Sequence, residues 1–271
     1  MRFKLTIEYA GTRYSGWQIQ KNARTIQGEI DRAIREATRI KDFELYGSGR
    51  TDAGVHALAQ VAHLDLPVRE RGPASQPAET LRRRINEALP SDINILRIDR
   101  VRHRFHARHD AVARSYIYQI ARRRTAFAKA FVWWVKEDLD AGAMRRTAAA
   151  FVGMHDFRAF SDDDPEEKST EVLVEAFDLH EDGDLILVHI EGSHFLWKMV
   201  RRLVGVLAEV GRGVLTHDAA VALLTKPSPL PARLTAPAAG LFLERVYYPG
   251  DPRDVPVQPA VVLPRGATAQ L

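Results

Sequence analysis

Along this chain, segments with the hydrophobic period of a strand take turns with segments that have the period of a helix. This order of segments limits the folds that the chain can adopt. Apolar residues at alternate positions predict strands, and apolar residues at every third or fourth position predict helices. The first helix, for example, places Ile26, Ile30 and Ile34 on one face. In the first half the predicted elements are a strand over 3–9, a helix over 25–39, strands over 44–48 and 61–66, a helix over 77–89 and a strand over 93–101.

The second half repeats this order of elements. Its predicted elements are strands over 114–121, 171–178, 185–191 and 242–248, with helices over 140–151 and 197–210 and an extra helix over 217–224. Two copies of βαββαβ predict an α+β fold made of two ferredoxin-like halves, whose antiparallel sheets we expect to meet at a basic central cleft. The predicted domains are 1–104 and 105–248, followed by a proline-rich and polar flexible tail over 249–271.

The composition excludes several classes of site. The chain has 271 residues and no cysteine, so it has no disulfide, iron–sulfur cluster or cysteine nucleophile. Its ten histidines show no zinc-type spacing, so we expect no metal. The start alternates like a strand rather than a secretory signal, and no run approaches the ~18 apolar residues of a membrane span. We therefore expect a soluble, cytoplasmic protein.

Positive charge is concentrated in one stretch of the chain. Between positions 100 and 124 lie eight arginines and one carboxylate, Asp110. A solvated face usually mixes both signs, so this run indicates a polyanionic partner such as nucleic acid, with a basic surface needed only for solubility as the alternative. The acidic run over 162–167 is expected to be a flexible loop. Its contiguous carboxylates show none of the supporting residues that a metal site needs.

Residues 47–57 (GSGRTDAGVHA) are the strongest candidate for chemistry. Three glycines between positions 47 and 54 imply a tight backbone path between two predicted strands. That path carries Arg50 and Asp52. A purely structural turn also favours glycine and aspartate, so the composition alone leaves both interpretations open.

Residues 49–57 (GRTDAGVHA) resemble the signature of the tRNA pseudouridine synthase A family. Further blocks occur in the family's order: GTRYSGWQ at 11–18, FHAR at 105–108, RSYIY at 114–118, GMHDF at 153–157, FLWKMVR at 195–201 and APAAGL at 236–241. The resemblance implies an enzyme that isomerises uridine to pseudouridine on the 3′ side of the anticodon stem-loop of tRNA. It also implies that no cofactor is needed, and that a homodimer binds each tRNA through both subunits.

The resemblance assigns roles to four side chains. Asp52 is the catalytic carboxylate, and it either attacks C1′ of the ribose or removes a ribose proton. Arg201 pairs with this carboxylate, keeps it ionised and orients it. Tyr116 stacks on the target base. Arg50 helps to extrude the target nucleotide and to fill its place.

Periodicity adds to this assignment at two positions. The helical period places Arg201 at the border of the apolar stripe of its helix, and it turns Arg202 away, towards solvent or phosphate. Strand geometry does not separate Tyr116 from Tyr118, because residues two apart share a face. The choice of Tyr116 therefore depends on the resemblance.

Other residues near the signature have less certain tasks. His56 is expected to shape the loop by hydrogen bonding rather than to act as a second base. Trp17 and Gln18 follow the first strand, where contact with RNA and anchoring of the loop by Trp17 are both open. After Ser161 the family carries a polar stretch that leads into a Thr-x-Arg element. Here 168–171 reads KSTE, so no RNA contact is carried over to that segment.

Two readings compete with the enzyme. A non-catalytic tRNA-binding or tRNA-folding protein would share the fold and the basic run, but it has no physical reason to keep Asp52, Arg201 and Tyr116 together. A glycosidase or nucleosidase acting on small substrates fits less well, since most glycosidases need two carboxylates at the bond. The signature offers one.

Overall fold

A computed structural model describes residues 1–67, 77–163, 169–226 and 228–263 of the chain. These residues form two compact units. The first unit comprises Met1–Val112 and Leu243–Asp251, and the second comprises Ala113–Phe242 and the described residues from Pro252 onward. Within the described ranges, no helix is both long and apolar enough to cross a membrane.

The first unit has the predicted βαββαβ order. Its elements are β1 (Arg2–Tyr9), α1 (Ile26–Thr38), β2 (Glu44–Gly47), β3 (His56–Asp65), α2 (Ala78–Ala88) and β4 (Ile93–Val101). β1 pairs antiparallel with β3 on one side and with β4 on the other, and β2 pairs antiparallel with β3. This order, β4-β1-β3-β2, confirms a ferredoxin-like arrangement.

Local chemistry explains where α1 begins and ends. The Thr25 side chain caps the helix by accepting a hydrogen bond from the N–H of Gly28 at 3.3 Å. The apolar face identified from the period is buried. Arg39 ends the helix in the left-handed conformation, with φ of 60°. Thr25 and Arg39, which were predicted as the ends of this helix, are therefore its N-cap and its C-cap.

The second unit repeats the order with insertions. Its elements are β5 (Ala113–Ala121), β6 (Trp133–Trp134), α3 (Ala141–Ala149), β7 (Gly153–Asp156), β8 (Glu171–Asp182), β9 (Leu185–Gly192), α4 (Met199–Gly211), α5 (His217–Ala222) and α6 (Leu230–Arg233), and the chain passes into the first unit within β10 (Leu241–Tyr247). β9 pairs antiparallel with both β5 and β8, as β3 does with β1 and β2. The sequence did not predict β6 and β7, because β6 has only two residues and the residues of β7 (GMHD) do not alternate between apolar and polar.

The proline-rich segment after β10 packs against the second unit as far as the structure describes it. Leu263 is buried in a small core with residues of β5 and β9, and Val257 and Val261 pack against the same core. The N–H of Val261 also donates to the side chain of Gln119 at 3.1 Å. A loose tail was expected from composition here. Three apolar residues between the prolines are enough to attach the segment, and positions 264–271 lie outside the described residues.

The helix α4 is enclosed on nearly all sides, and one glycine makes this possible. A Cβ on Gly205 would lie 1.6 Å from the carbonyl oxygen of Leu234, so only glycine lets that backbone cross the helix. The crossing segment also reaches Arg201, whose C=O accepts from the N–H of Ala236 at 3.0 Å. Close packing at Gly205 thus sets the position of the chain around Arg201.

We expect Gly205→Ala to lower the free energy of unfolding by about 1–3 kcal/mol, the usual effect of overpacking. Alanine favours a helix by ~1 kcal/mol, but the clash is with backbone and cannot be relieved by a rotamer change. Urea denaturation measures the free energy of unfolding of this variant. Gly49→Ala is the control, because no atom lies within 4 Å of the added Cβ there. Equal stability of Gly205→Ala and wild type would show that the backbone at Leu234 can move away from the helix at little cost.

Candidate active site

The loop between β2 and β3 carries Asp52, and its first limb is fastened to β3. The N–H of Ser48 donates to the carbonyl of Val61 at 2.7 Å. The Ser48 hydroxyl donates to the buried side-chain carbonyl of Gln60 at 2.7 Å, and the Gln60 amide donates to the C=O of Gly49 at 3.2 Å. A single buried glutamine therefore holds the backbone just before Arg50.

The second limb is a tight turn that begins at Asp52. The C=O of Asp52 accepts from the N–H of Val55 at 3.1 Å, and Gly54 between them has φ of 80°. This is the pattern of a type II turn, which needs a positive φ at its third residue and therefore glycine. The Asp52 side chain is partly exposed, so it lies where a substrate can reach it.

The segment after β1 holds this turn from the other side. The N–H of Trp17 donates to the C=O of Thr51 at 3.1 Å, and the N–H of Gly54 donates to the C=O of Tyr14 at 3.3 Å. The hydroxyls of Thr51 and Tyr9 share a buried hydrogen bond of 2.8 Å. Both neighbours of the Asp52–Ala53 pair are thus fixed, which limits the positions that the carboxylate can take.

His56 joins the same two segments. Its Nδ1 accepts a hydrogen bond from the N–H of Gly11 at 3.0 Å, so this nitrogen carries no proton. A Cβ on Gly11 would lie 1.9 Å from the carbonyl oxygen of Val55, which shows how closely the segments approach. The prediction that His56 shapes the loop is confirmed.

Trp17 anchors the loop rather than facing RNA. Its ring is 1% exposed, lies 6.1 Å from the ring of Tyr9, and fills the space where a Cβ on Gly47 would stand. Gln18 has a different place, because its side-chain oxygen accepts from Nε of the exposed Arg50 at 3.2 Å. This contact orients Arg50 at the surface of the first unit.

Tyr116 and Tyr118, which the sequence could not separate, have different environments in the second unit. Tyr118 is fully buried, its hydroxyl donates to the C=O of Pro237 at 2.8 Å, and burial raises the pKa of its phenol above the usual range. Tyr116 is half-buried, and its ring meets the edge of Phe195 at 5.2 Å between centroids. Of the two tyrosines, only Tyr116 is therefore accessible from the surface of the unit.

Arg201 is held by the backbone that crosses α4. Its Nε donates to the C=O of Ala236 at 2.7 Å, and its own C=O accepts from the N–H of the same residue. An arginine fixed through Nε can present its two terminal nitrogens to a carboxylate or a phosphate. The prediction that Arg201 lies at the rim of its helix agrees with its partial exposure.

The expectation for Arg202 was wrong. Its side chain is 4% exposed and forms an ion pair with Asp162, which also accepts from Nζ of Lys198 at 2.7 Å. The reason is that α4 is buried on a wider face than its apolar stripe indicated, so a second arginine enters the core with a carboxylate partner. Hydrogen bonds from Lys198 and Arg202 lower the pKa of Asp162.

Asp162 and Asp163 therefore do not belong to a loose acidic segment. Asp163 accepts from the N–H of Trp197 at 2.9 Å, next to the ion pairs of Asp162. Residues 164–168 of the predicted acidic loop lie outside the described residues. Across the described ranges, no group of three or more histidine and carboxylate side chains could hold a metal ion.

The arginine run is less one-sided in space than in sequence. Arg122 forms an ion pair with Glu181 and Arg123 with Asp184, so the hairpin between β8 and β9 balances both charges. Arg102 and Arg104, which follow β4, are exposed on the first unit. Arg102 and Arg104 are therefore candidates for contact with a polyanion.

The four predicted site residues divide between the units. The first unit carries Arg50 and Asp52 on one loop, and the second carries Tyr116 on β5 and Arg201 on α4. Sequence reasoning missed the supporting residues Gln60 and Ala236. Gln60 lies outside the family blocks, and Ala236 opens the block at 236–241 without an assigned role, so only their hydrogen bonds reveal what they do.

Comparison with known proteins identifies the family. A family model described as tRNA pseudouridine synthase matches residues 5–110 and 147–249. The tRNA pseudouridine synthase A of Rhodopseudomonas palustris is 40% identical over 254 residues, which cover 91% of this chain and 99% of the relative. That of Paramagnetospirillum magneticum is 37% identical over 250 residues, covering 91% and 95%.

Of two further matches, one supports the family assignment and the other does not bear on it. The tRNA pseudouridine synthase A 2 of Clostridium tetani is 36% identical over 249 residues, which cover 90% of this chain and 98% of the relative. A chain from a solved Cbf5–Nop10–Gar1 complex aligns with 76% of this chain and 45% of its own length, but its TM-score of 0.34 and 10% identity carry no argument. From the family model and the three relatives, the chain belongs to the tRNA pseudouridine synthase family, a family of isomerases.

Proposed function

We propose that this protein isomerises uridine to pseudouridine in tRNA, on the 3′ side of the anticodon stem-loop, with Asp52 as the catalytic carboxylate. The observation that carries the proposal is the turn at Asp52. A partly exposed carboxylate stands on a loop that is fastened on both sides, inside a segment that resembles the family signature. A carboxylate held this firmly suits chemistry at one defined atom.

The reaction requires little beyond the protein itself. The C1′–N1 bond breaks, the base turns, a C1′–C5 bond forms, and the hydrogen on C5 is lost while N1 gains one. Reactant and product are isomers, so no external group or electron is consumed. Asp52 either adds to C1′ as a nucleophile or takes a ribose proton to leave a glycal, and both routes fit a single carboxylate.

The other three residues support this carboxylate and its substrate. Arg201, whose Nε is held by the C=O of Ala236, has in this proposal the role that the family resemblance implies, which is to orient the catalytic carboxylate. Tyr116 stacks on the uracil while the base is detached from the sugar. Arg50, oriented by Gln18, takes the place of the extruded nucleotide.

In this proposal the protein works in the cytoplasm, where tRNA is matured, and as a homodimer in which one tRNA contacts both subunits. The homodimer is implied by the family resemblance. Light scattering on the purified protein, with and without tRNA, measures the stoichiometry directly. A monomer that modifies tRNA at full rate would remove the dimer from the proposal and leave the chemistry intact.

We expect the purified protein to release tritium from tRNA that carries 5-tritiated uridine, because C5 must lose its hydrogen to bond to C1′. Asp52→Asn should lower the rate by roughly 10²–10⁴-fold, the usual contribution of a general acid or base, with tRNA binding retained. Asp138→Asn, at an exposed carboxylate in the second unit, is the matched control and should release tritium at the wild-type rate.

The same assay separates the proposal from its alternative. Release confined to an isolated anticodon stem-loop supports the proposed position of the target. If the wild-type protein binds tRNA but releases no tritium from a full set of cellular tRNAs, the enzyme reading fails. A non-catalytic tRNA-binding protein would then take its place.

The two tyrosines should behave in opposite ways. Tyr116→Ala is expected to weaken stacking by about 1–3 kcal/mol, with a corresponding loss of kcat/KM and little change in stability. Tyr118→Phe should leave the rate unchanged but lower the free energy of unfolding by about 1–3 kcal/mol, because the C=O of Pro237 loses its buried donor. Kinetics and urea denaturation on both variants test this pair, and a reversed pattern would exchange their roles.

Affinity for tRNA should depend on salt through the exposed arginines. We expect Arg102→Ala or Arg104→Ala to weaken binding and to reduce the slope of log K against log salt by about 1. Arg122→Ala is the control, because this arginine is already paired with Glu181 and should change the slope less. Binding titrations at several salt concentrations give the slopes, and equal slopes for all three variants would contradict this assignment.

A further inference from the structure

Trp197 exposes a large ring on a firmly anchored stretch of chain. It is 52% exposed, although Leu196 before it and Met199 shortly after it are buried. A tryptophan usually contributes a large buried apolar area, so leaving half of the ring in water sacrifices stability. Because buried residues lie on both sides of Trp197, the exposure of its ring does not result from a mobile loop.

Hydrogen bonds fix the backbone of Trp197. Its N–H donates to the carboxylate of Asp163 at 2.9 Å, and its C=O accepts from the hydroxyl of Ser161 at 3.3 Å. The next residue, Lys198, has φ of 63°, a conformation that costs a non-glycine residue free energy. Strain of this kind is found most often where a site requires a particular geometry.

The Lys198 side chain also fixes the ring itself. Its Nζ lies 4.6 Å from the centroid of the Trp197 ring and 2.7 Å from the carboxylate of Asp162. The ammonium therefore makes a cation–π contact while it is held by an ion pair. An aromatic ring that is ordered before binding loses less entropy when a ligand stacks on it.

Trp197 lies on the chain segment that joins Phe195 to Arg201. Phe195, two positions earlier, packs against Tyr116, and Arg201 follows four positions later in the first turn of α4. All of these residues belong to the second unit. An exposed aromatic with a cation above it, two positions after the ring partner of Tyr116, has the composition of a single-stranded nucleic-acid site.

We propose that Trp197, held by Lys198 and Asp163, is a stacking subsite for the base of an unpaired nucleotide adjacent to the target uridine in tRNA. This inference rests on the proposed function for the identity of the RNA, but it concerns binding rather than chemistry. Lys198 contributes positive charge near the neighbouring phosphate. Stacking accepts any base, so the subsite positions the strand without selecting its sequence.

Replacing the ring should weaken RNA binding without disturbing the fold. We expect Trp197→Ala to raise KM for tritium release, and the Kd for an anticodon stem-loop RNA, by roughly fivefold to 150-fold, with Trp197→Phe in between. Trp134→Ala is the matched control. It removes another exposed tryptophan of the same unit, also beneath an arginine, and should stay within about twofold of wild type on the scale of surface substitutions.

A coupling measurement identifies the partner of the ring. RNAs lacking the base at one position beside the target uridine should bind the wild-type protein more weakly, by a factor similar to that of Trp197→Ala. In Trp197→Ala itself, the same RNA should show no further loss. Additive losses at every adjacent position, or unchanged binding by Trp197→Ala, would overturn the subsite.

Two more outcomes are informative. If Trp197→Ala changes the mass of the protein in light scattering but not its affinity for RNA, the ring belongs to a contact between copies of the chain and the proposal is wrong. If the wild-type protein releases no tritium but the coupling is present, the proposed function fails while the subsite stands. Thermal unfolding of each variant, followed by circular dichroism, shows that losses of binding do not come from unfolding.

Discussion

The close approach between the segment after β1 and the loop that carries Asp52 is the constraint on which the candidate site depends. A carboxylate can direct chemistry to one carbon only if the backbone that carries it is held in one position. Here the carbonyl before Asp52 and the amide two residues after it are both bonded to the first segment. Gly11 permits this contact because any side chain there would collide with Val55. Gly11, through this close contact, and Gly54, through its positive φ, thus help to fix the position of Asp52.

The second unit uses a different device for Arg201. The backbone at Ala236 binds both the carbonyl and the Nε of this arginine, and the missing side chain of Gly205 lets that backbone come near. Beside it, the ion pair between the buried Arg202 and the partly exposed Asp162 holds the turn before α4. Adjacent arginines on one helix therefore have opposite tasks, since one faces the rim and the other supports the structure.

The basic run shows how far charge in a sequence can mislead. Arg122 and Arg123 belong to the arginine run of the sequence, but they are close in space to Glu181 and Asp184 on the β8–β9 hairpin. Charge partners that are 59 and 61 residues apart leave no pattern in a local window. Exposure alone does not make an arginine a candidate for a polyanion, since Arg122 is exposed and yet paired with Glu181.

Local sequence was sufficient for everything that depends on neighbouring residues. Hydrophobic period and helix caps predicted the repeated βαββαβ order, because strands and helices differ in how often a side chain returns to the same face. The signature around Asp52 could be recognised for a similar reason, because its glycines and its aspartate lie within a few residues of one another. Tertiary contacts were needed to separate Tyr116 from Tyr118 and to bury Arg202, since burial depends on what packs from distant parts of the chain. The same holds for the exposed ring of Trp197, whose orientation depends on a lysine, on Asp163 and on a strained backbone that no local pattern specifies.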